Sequence, residues 1–167
     1  GWLGRYLAPA LIARGHVTMG LDVVPGPHTQ VVGSVADAEL VARLVRDEGI
    51  EVIVHGGALH KPDIARYAEQ AFVDVNVTGT LNLLTAARDA GHRHFVYTST
   101  TSVMVTEAIH EGRHEGAAWL DEEAGPLAPR NIYGVTKLAA EGLCRQFTRS
   151  YGLATTVLRT SRFFPEE

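Results

Sequence analysis

The chain has 167 residues, 46% of them apolar and 20% charged, and a formal net charge of −4. That is the composition of one soluble globular domain with enough residues to bury a core. It has no block of lysine or arginine to track nucleic acid and no apolar run long enough to span a membrane, so neither partner is expected.

The predicted elements alternate. Residues 2–14 form a helix, with apolar Leu3, Leu7, Ala10 and Leu11 on one face and a stop at Gly15. A short strand at 16–21 ends at Asp22, and Pro25, Gly26 and Pro27 make 23–33 a loop. A helix at 37–48 begins on Asp37 and stops at Gly49; a buried strand at 51–55 ends at Gly56-Gly57. A long helix covers 70–90, a strand 94–98, an irregular stretch 101–129, a helix 131–151 and a last strand 153–158. Strands separated by helices of this length predict βαβ units, a parallel sheet and an α/β fold. The chain opens without methionine or a preceding strand and stops just after an apolar run, so the expectation is one partial domain over 1–167 with both ends cut.

One cysteine, Cys144, excludes an intrachain disulfide and fits a reducing, cytoplasmic compartment. Its place in an amphipathic helix predicts a packed, inert thiol.

Gly1-Trp2-Leu3-Gly4 opens a helix, where backbone N–H groups and the helix dipole favour a phosphate. Asp22 ends the following strand about 20 residues on, the place of the acid that holds the adenosine ribose in a dinucleotide fold; a simple turn former is the other reading. An acid there repels a 2′-phosphate, which favours NAD over NADP. Tyr133 and Lys137 lie one turn apart on one helix face. An ammonium beside a phenol favours the phenolate and lowers the tyrosine pKa, giving a proton shuttle. Such pairs also decorate surfaces, so context has to decide.

Taken together, the segments resemble the extended short-chain dehydrogenase/reductase family, the NAD-dependent epimerase/dehydratase group. Gly1 and Gly4 match the second and third glycines of its G-x-x-G-x-x-G. Gly33-Ser34-Val35 resembles its segment beside the adenine, Val54-His55-Gly56-Gly57-Ala58 its turn after the next strand, and Asn76-Val77-Thr78-Gly79-Thr80 its Asn-x-x-Gly-Thr. Phe95 to Thr100 is similar to its strand ending in Ser/Thr, and Tyr133 to Lys137 to its Tyr-x-x-x-Lys.

The resemblance implies a doubly wound parallel sheet, the Rossmann fold, here lacking its first strand and most of a C-terminal substrate region. It implies Tyr133 as general acid/base, Lys137 at the nicotinamide ribose, and Thr100 bonded to the reacting oxygen. The cofactor would be NAD, touching Gly1, Trp2, Leu3, Gly4, Asp22, Ser34, Val35, Gly56, Gly57, Ala58, His60, Asn76, Thr98, Tyr133 and Lys137. Asn76 would also brace the site from its helix, and His60 could equally be a surface residue. The implied substrate is a small molecule, a nucleotide sugar, and a homodimer is one expectation for the full-length protein. A non-catalytic dinucleotide sensor is the alternative, but it would not need Thr100, Tyr133 and Lys137 together.

The departures carry information. Ser34 replaces the usual adenine-contacting Asp, and Thr101-Ser102 replaces the Asp-Glu that sugar 4,6-dehydratases use for elimination, so that chemistry is not expected. The segment 159–165 lacks the Asn that usually follows the last strand's Arg. His110-Glu111-Gly112-Arg113-His114 fits the zinc pattern H-E-x-x-H, but Gly112 interrupts the regular helix such a site needs, so no metal is expected. With its central strand missing, the chain alone is expected to be poorly stable and inactive.

Overall fold

The computed structural model describes residues 1–113 and 116–161. Among them the strands fall into two parallel sets. β1 (Leu21–Asp22) pairs with β2 (Val31–Val32), while β3 (Ile53–His55), β4 (His94–Thr100) and β5 (Ala154–Thr160) form a sheet in the order β3-β4-β5. The helices are α1 (Trp2–Ile12), α2 (Ala38–Asp47), the short α3 (Glu69–Phe72), α4 (Gly79–Asp89), the short α5 (Glu107–His110) and α6 (Ile132–Tyr151). Parallel neighbours need crossovers; α4 lies in the connection from β3 to β4 and α6 in that from β4 to β5, while α2 links β2 to β3.

Alternation along β4 sorts the two faces of the sheet. Phe95, Tyr97 and Ser99 are buried, and Phe95 and Tyr97 join Leu83, Leu84 and Ala87 of α4 and Ala140, Cys144 and Phe147 of α6 in one core. Val96 and Thr98 point the other way and line a groove with Leu3 and Leu7 of α1. Helices on both faces of a parallel sheet make this a Rossmann-type α/β fold, as expected. β1 and β3 each pair on one side only among the described residues.

Several boundaries differ from those read in the sequence. β1 is the two residues Leu21–Asp22 instead of 16–21, and β2 lies inside the stretch read as loop; two-residue strands carry no alternation to detect, and the Pro25-Gly26-Pro27 cluster masks β2. The helix expected over 70–90 is α3, a π-helical turn at Val73–Thr78, and α4 in succession. β4 runs to Thr100, and β5 is Ala154–Thr160. A 3₁₀ turn (Thr101–Val103) and α5 interrupt the stretch read as irregular, and another 3₁₀ turn occupies Lys61–Ala65.

The ends of α6 fix its position. The Asn131 side chain accepts from the N–H of Gly134 at 3.0 Å, a standard N-cap. Gly152 adopts φ 70° and returns its N–H to Thr148, a left-handed stop that suits glycine. Cys144 is fully buried, and burial pushes its thiol up to about 12, which agrees with an inert packed role.

Candidate active site

The C-terminal end of β4 and the first two turns of α6 meet at one point. Thr98 and Thr100 end the strand; Tyr133 and Lys137 stand one turn apart on the helix, and Thr100, Tyr133 and Lys137 are buried. The Thr100 side chain is near enough to the Tyr133 phenol to favour its ionised form, against the larger effect of burial. Lys137 Nζ donates to the Thr98 carbonyl at 2.5 Å and sits 4.3 Å from the centroid of the Tyr97 ring. The His60 ring lies 5.7 Å from that of Tyr133.

One expectation is overturned. Lys137 was expected to lower the Tyr133 pKa; instead burial raises it, outweighing the opposite effect of the Thr100 side chain. The physical reason is direction. The ammonium is turned onto the Thr98 carbonyl and the Tyr97 ring face, and desolvation penalises the phenolate. Burial also brings Lys137 itself down to about 8.

Asn76 sits in the π-helical turn and braces the site. Its Oδ1 accepts from the Leu59 N–H at 2.8 Å, and its Nδ2 donates to the Leu59 carbonyl at 3.0 Å and to Thr136 Oγ1 at 3.1 Å. Both amide hydrogens are thus spent on protein, which ties the loop before His60 to α6. The rest of Asn-x-x-Gly-Thr has structural causes too. A Cβ on Gly79 would stand 2.5 Å from Val35 Cγ2, and Thr80 Oγ1 donates to the Asn76 carbonyl at 2.6 Å.

Asp22 ends β1 beside the glycine turn. Its Oδ1 accepts from the Val24 N–H at 3.0 Å, and its Oδ2 faces the Gly1 nitrogen. α1 starts at Trp2 with no side-chain cap and no acidic residue in its first turn; Gly4 has open space around it. Gly56 lies against Leu3, where a Cβ would come within 3.1 Å, and Gly57 stands near Val35. The Ser34 hydroxyl accepts from the Ala36 N–H at 3.1 Å, a local turn. Trp2 is 40% exposed, with its ring 4.8 Å from that of Tyr6; Ala58 follows the Gly56-Gly57 turn after β3.

Several functional neighbours escaped the sequence reading. His55, Tyr97, Ser99 and Glu141 are buried around the site. Glu141 continues the Tyr133–Lys137 helix face by one further turn, and that spacing is the signal that could have found it. His55 Nε2 lies 3.0 Å from Thr80 Oγ1, and burial followed by the nearby Lys137 pushes His55 down to about 3. A histidine neutral in the fold and protonated when unfolded destabilises the fold as pH drops from 6.5 toward about 3. The slope from this group is up to about 1.4 kcal/mol per pH unit. Urea denaturation across that window is expected to show it, and His55→Gln is expected to remove it; an unchanged slope would refute this role.

The H-E-x-x-H segment is described only in part. α5 ends at His110, Gly112 adopts φ 66°, and His114 lies outside the described residues. No group of three or more metal-ligating side chains exists among the described residues. Arg159 falls on β5, while positions 162–167 lie outside the described residues. No helix among those described is long and apolar enough to cross a membrane.

Thr100 ends β4, Tyr133 and Lys137 stand one turn apart on α6, and the glycine turn lies beside Asp22. The family model described as the NAD dependent epimerase/dehydratase family matches residues 1–167. The chain belongs to that family. A 3-beta-hydroxysteroid dehydrogenase of Mycolicibacterium neoaurum is 33% identical over 96% of this chain and 44% of its own length. A UDP-glucose 4-epimerase of Lactobacillus helveticus is 28% identical over 95% of this chain and 48% of its own. The crystal structure of a short-chain dehydrogenase/reductase superfamily protein from Agrobacterium tumefaciens with bound NAD superposes at TM-score 0.80, with 34% identity, over 95% of this chain and 46% of that one. This epimerase/dehydratase-family chain therefore spans about half the length of the relatives it matches.

Proposed function

We propose that the protein is an NAD-dependent oxidoreductase or epimerase acting on a hydroxyl or keto carbon, with a nucleotide sugar as substrate. The observation that carries this reading is the buried grouping of Thr100 at the end of β4 with Tyr133 and Lys137 one helical turn apart on α6, where Lys137 Nζ reaches back to the Thr98 carbonyl.

The residues present fit NAD. The uncapped start of α1, free of acid in its first turn, suits a pyrophosphate. At the end of β1 the Asp22 carboxylate would accept from ribose hydroxyls and repel a 2′-phosphate. Gly56, Gly57 and Ala58 would lie along the cofactor after β3, and Lys137 would bond the second ribose. Bound there, the nicotinamide takes or returns a hydride at C4.

Tyr133 and Thr100 handle the proton. Thr100 would hold the substrate oxygen while Tyr133 Oη takes its proton during oxidation and returns it during reduction. Because burial raises Tyr133, the phenol is protonated and ready for the reducing direction. The relatives named as a UDP-glucose 4-epimerase and an NAD-bound dehydrogenase/reductase support this assignment.

Fluorescence titration of the full-length protein tests the cofactor. NADH is expected to saturate the site and to bind more tightly than NADPH. Asp22→Ser is expected to weaken NADH about tenfold or more, as loss of a charged hydrogen bond would, and to narrow the gap to NADPH. Absence of NADH binding at millimolar concentration would refute the reading.

A further inference from the structure

Beside the site is a cavity of about 160 Å³ lined by Lys61, Ser102, Val105, His110, Arg130 and Asn131. We propose that this cavity is an oxyanion site that holds a carboxylate or phosphate carried by the substrate. The proposal rests on the oxidoreductase reading above and names the substrate's second point of attachment.

Three separate segments bring basic side chains to one wall. Lys61 opens the 3₁₀ turn Lys61–Ala65, His110 ends α5, and Arg130 immediately precedes the Asn131 cap of α6. Among the described residues no Asp or Glu lines the cavity, and none of the three is ion-paired. Of the nearby acids, Asp63 is engaged by the His60 N–H at 2.7 Å and Glu111 by Arg113, while Glu107 opens the helix that His110 ends. In a chain with 19 acidic against 15 Lys and Arg residues, and with Lys61 and Lys137 as its only lysines, such a grouping is not what average composition produces.

The cavity also adjoins the reacting centre. Ser102 donates its N–H to Thr100 Oγ1 at 3.2 Å, Asn131 caps the turn that carries Tyr133, and Lys61 follows His60, whose ring faces Tyr133. A whole-ligand pocket is roughly 300 Å³ or more, so this smaller space accepts a group and not a molecule. Arg130 can grip an oxyanion through two N–H donors, with Lys61 as a point charge and the Ser102 hydroxyl as a further donor. An uncharged steroid would leave these cations unused, which distinguishes the site from what a hydroxysteroid needs. His110, which belongs to no metal-ligating group among the described residues, gains a role here.

NMR titration of the full-length protein without NAD tests the proposal, following the His110 imidazole and the Ser102 amide. Inorganic phosphate and D-glucuronate are the anionic probes and D-glucose the uncharged control. Saturable shifts with an anion and none with D-glucose are expected, and Lys61→Gln and Arg130→Gln are each expected to weaken binding about tenfold. Tighter binding of D-glucuronate assigns a carboxylate, and tighter phosphate binding a phosphate. Absence of saturable shifts, or unchanged affinity in both variants, overturns the proposal. A parallel NADH titration separates the two readings: anion binding without NADH binding sinks the dehydrogenase assignment alone, and NADH binding without anion binding sinks the oxyanion site alone.

Discussion

Replacing Tyr133 by Phe is expected to lower kcat of the full-length protein by about 10²- to 10⁴-fold, the usual worth of a positioned acid/base, while cofactor affinity stays within about twofold. The substitution removes one oxygen from a buried ring and leaves Thr100, Lys137 and the backbone of α6 in place. The pH profile sharpens the test. Burial holds the phenol above its ordinary value, so the oxidising direction, which needs the phenolate, is expected to speed up as pH rises. The reducing direction uses the protonated phenol and is expected to lack that rise. In Tyr133→Phe the residual rate should no longer follow pH in this way. Turnover unaffected by the substitution would remove Tyr133 from the chemistry.

The site was legible because its parts are local. Tyr133 and Lys137 share a helix face by spacing alone, and Thr100 and Asp22 end strands, so each could be placed without three-dimensional information. The supporting contacts are long-range and have no such periodic signature. Asn76 reaches Thr136 and Leu59, and Ser99 reaches Glu141 from another element. The direction of the Lys137 ammonium was likewise invisible, because it depends on where Thr98 and Tyr97 stand across the interface with β4. That is why the sign of the Tyr133 shift was misread while the residue was found. β2 was lost for another reason: two residues are too few to alternate, and its stability comes from pairing with β1.

Glu141→Ala is expected to destabilise the full-length protein by about 3–5 kcal/mol, the cost of leaving a buried charge without its partner. The Glu141 side chain is 1% exposed and Arg159 17%. The carboxylate accepts from Arg159 Nε at 3.1 Å and Nη2 at 2.8 Å, and from Ser99 Oγ at 2.6 Å, so it joins α6 to β4 and β5 beneath the reacting groups. Arg159 Nη1 already has no partner among the described residues, so the guanidinium depends on this carboxylate. Arg145, at 3.6 Å and 55% exposed, is a solvent-screened contact that contributes little. Removing both charges with Glu141→Leu and Arg159→Met together is expected to recover most of the loss, because the penalty belongs to the stranded ion more than to the missing pair. The pH dependence follows from the same geometry. Burial would raise the Glu141 carboxyl, but its hydrogen bonds from Arg159 and Ser99 hold it below 4.5. Its stabilisation is therefore present above that value and lost as pH falls through the lowered one. Urea denaturation is expected to show a steeper acid limb below that value in the wild type than in Glu141→Ala, in which the His55 slope remains. A single variant as stable as the wild type would mean that Arg159 finds another partner and that the buried pair does not hold α6 to the sheet.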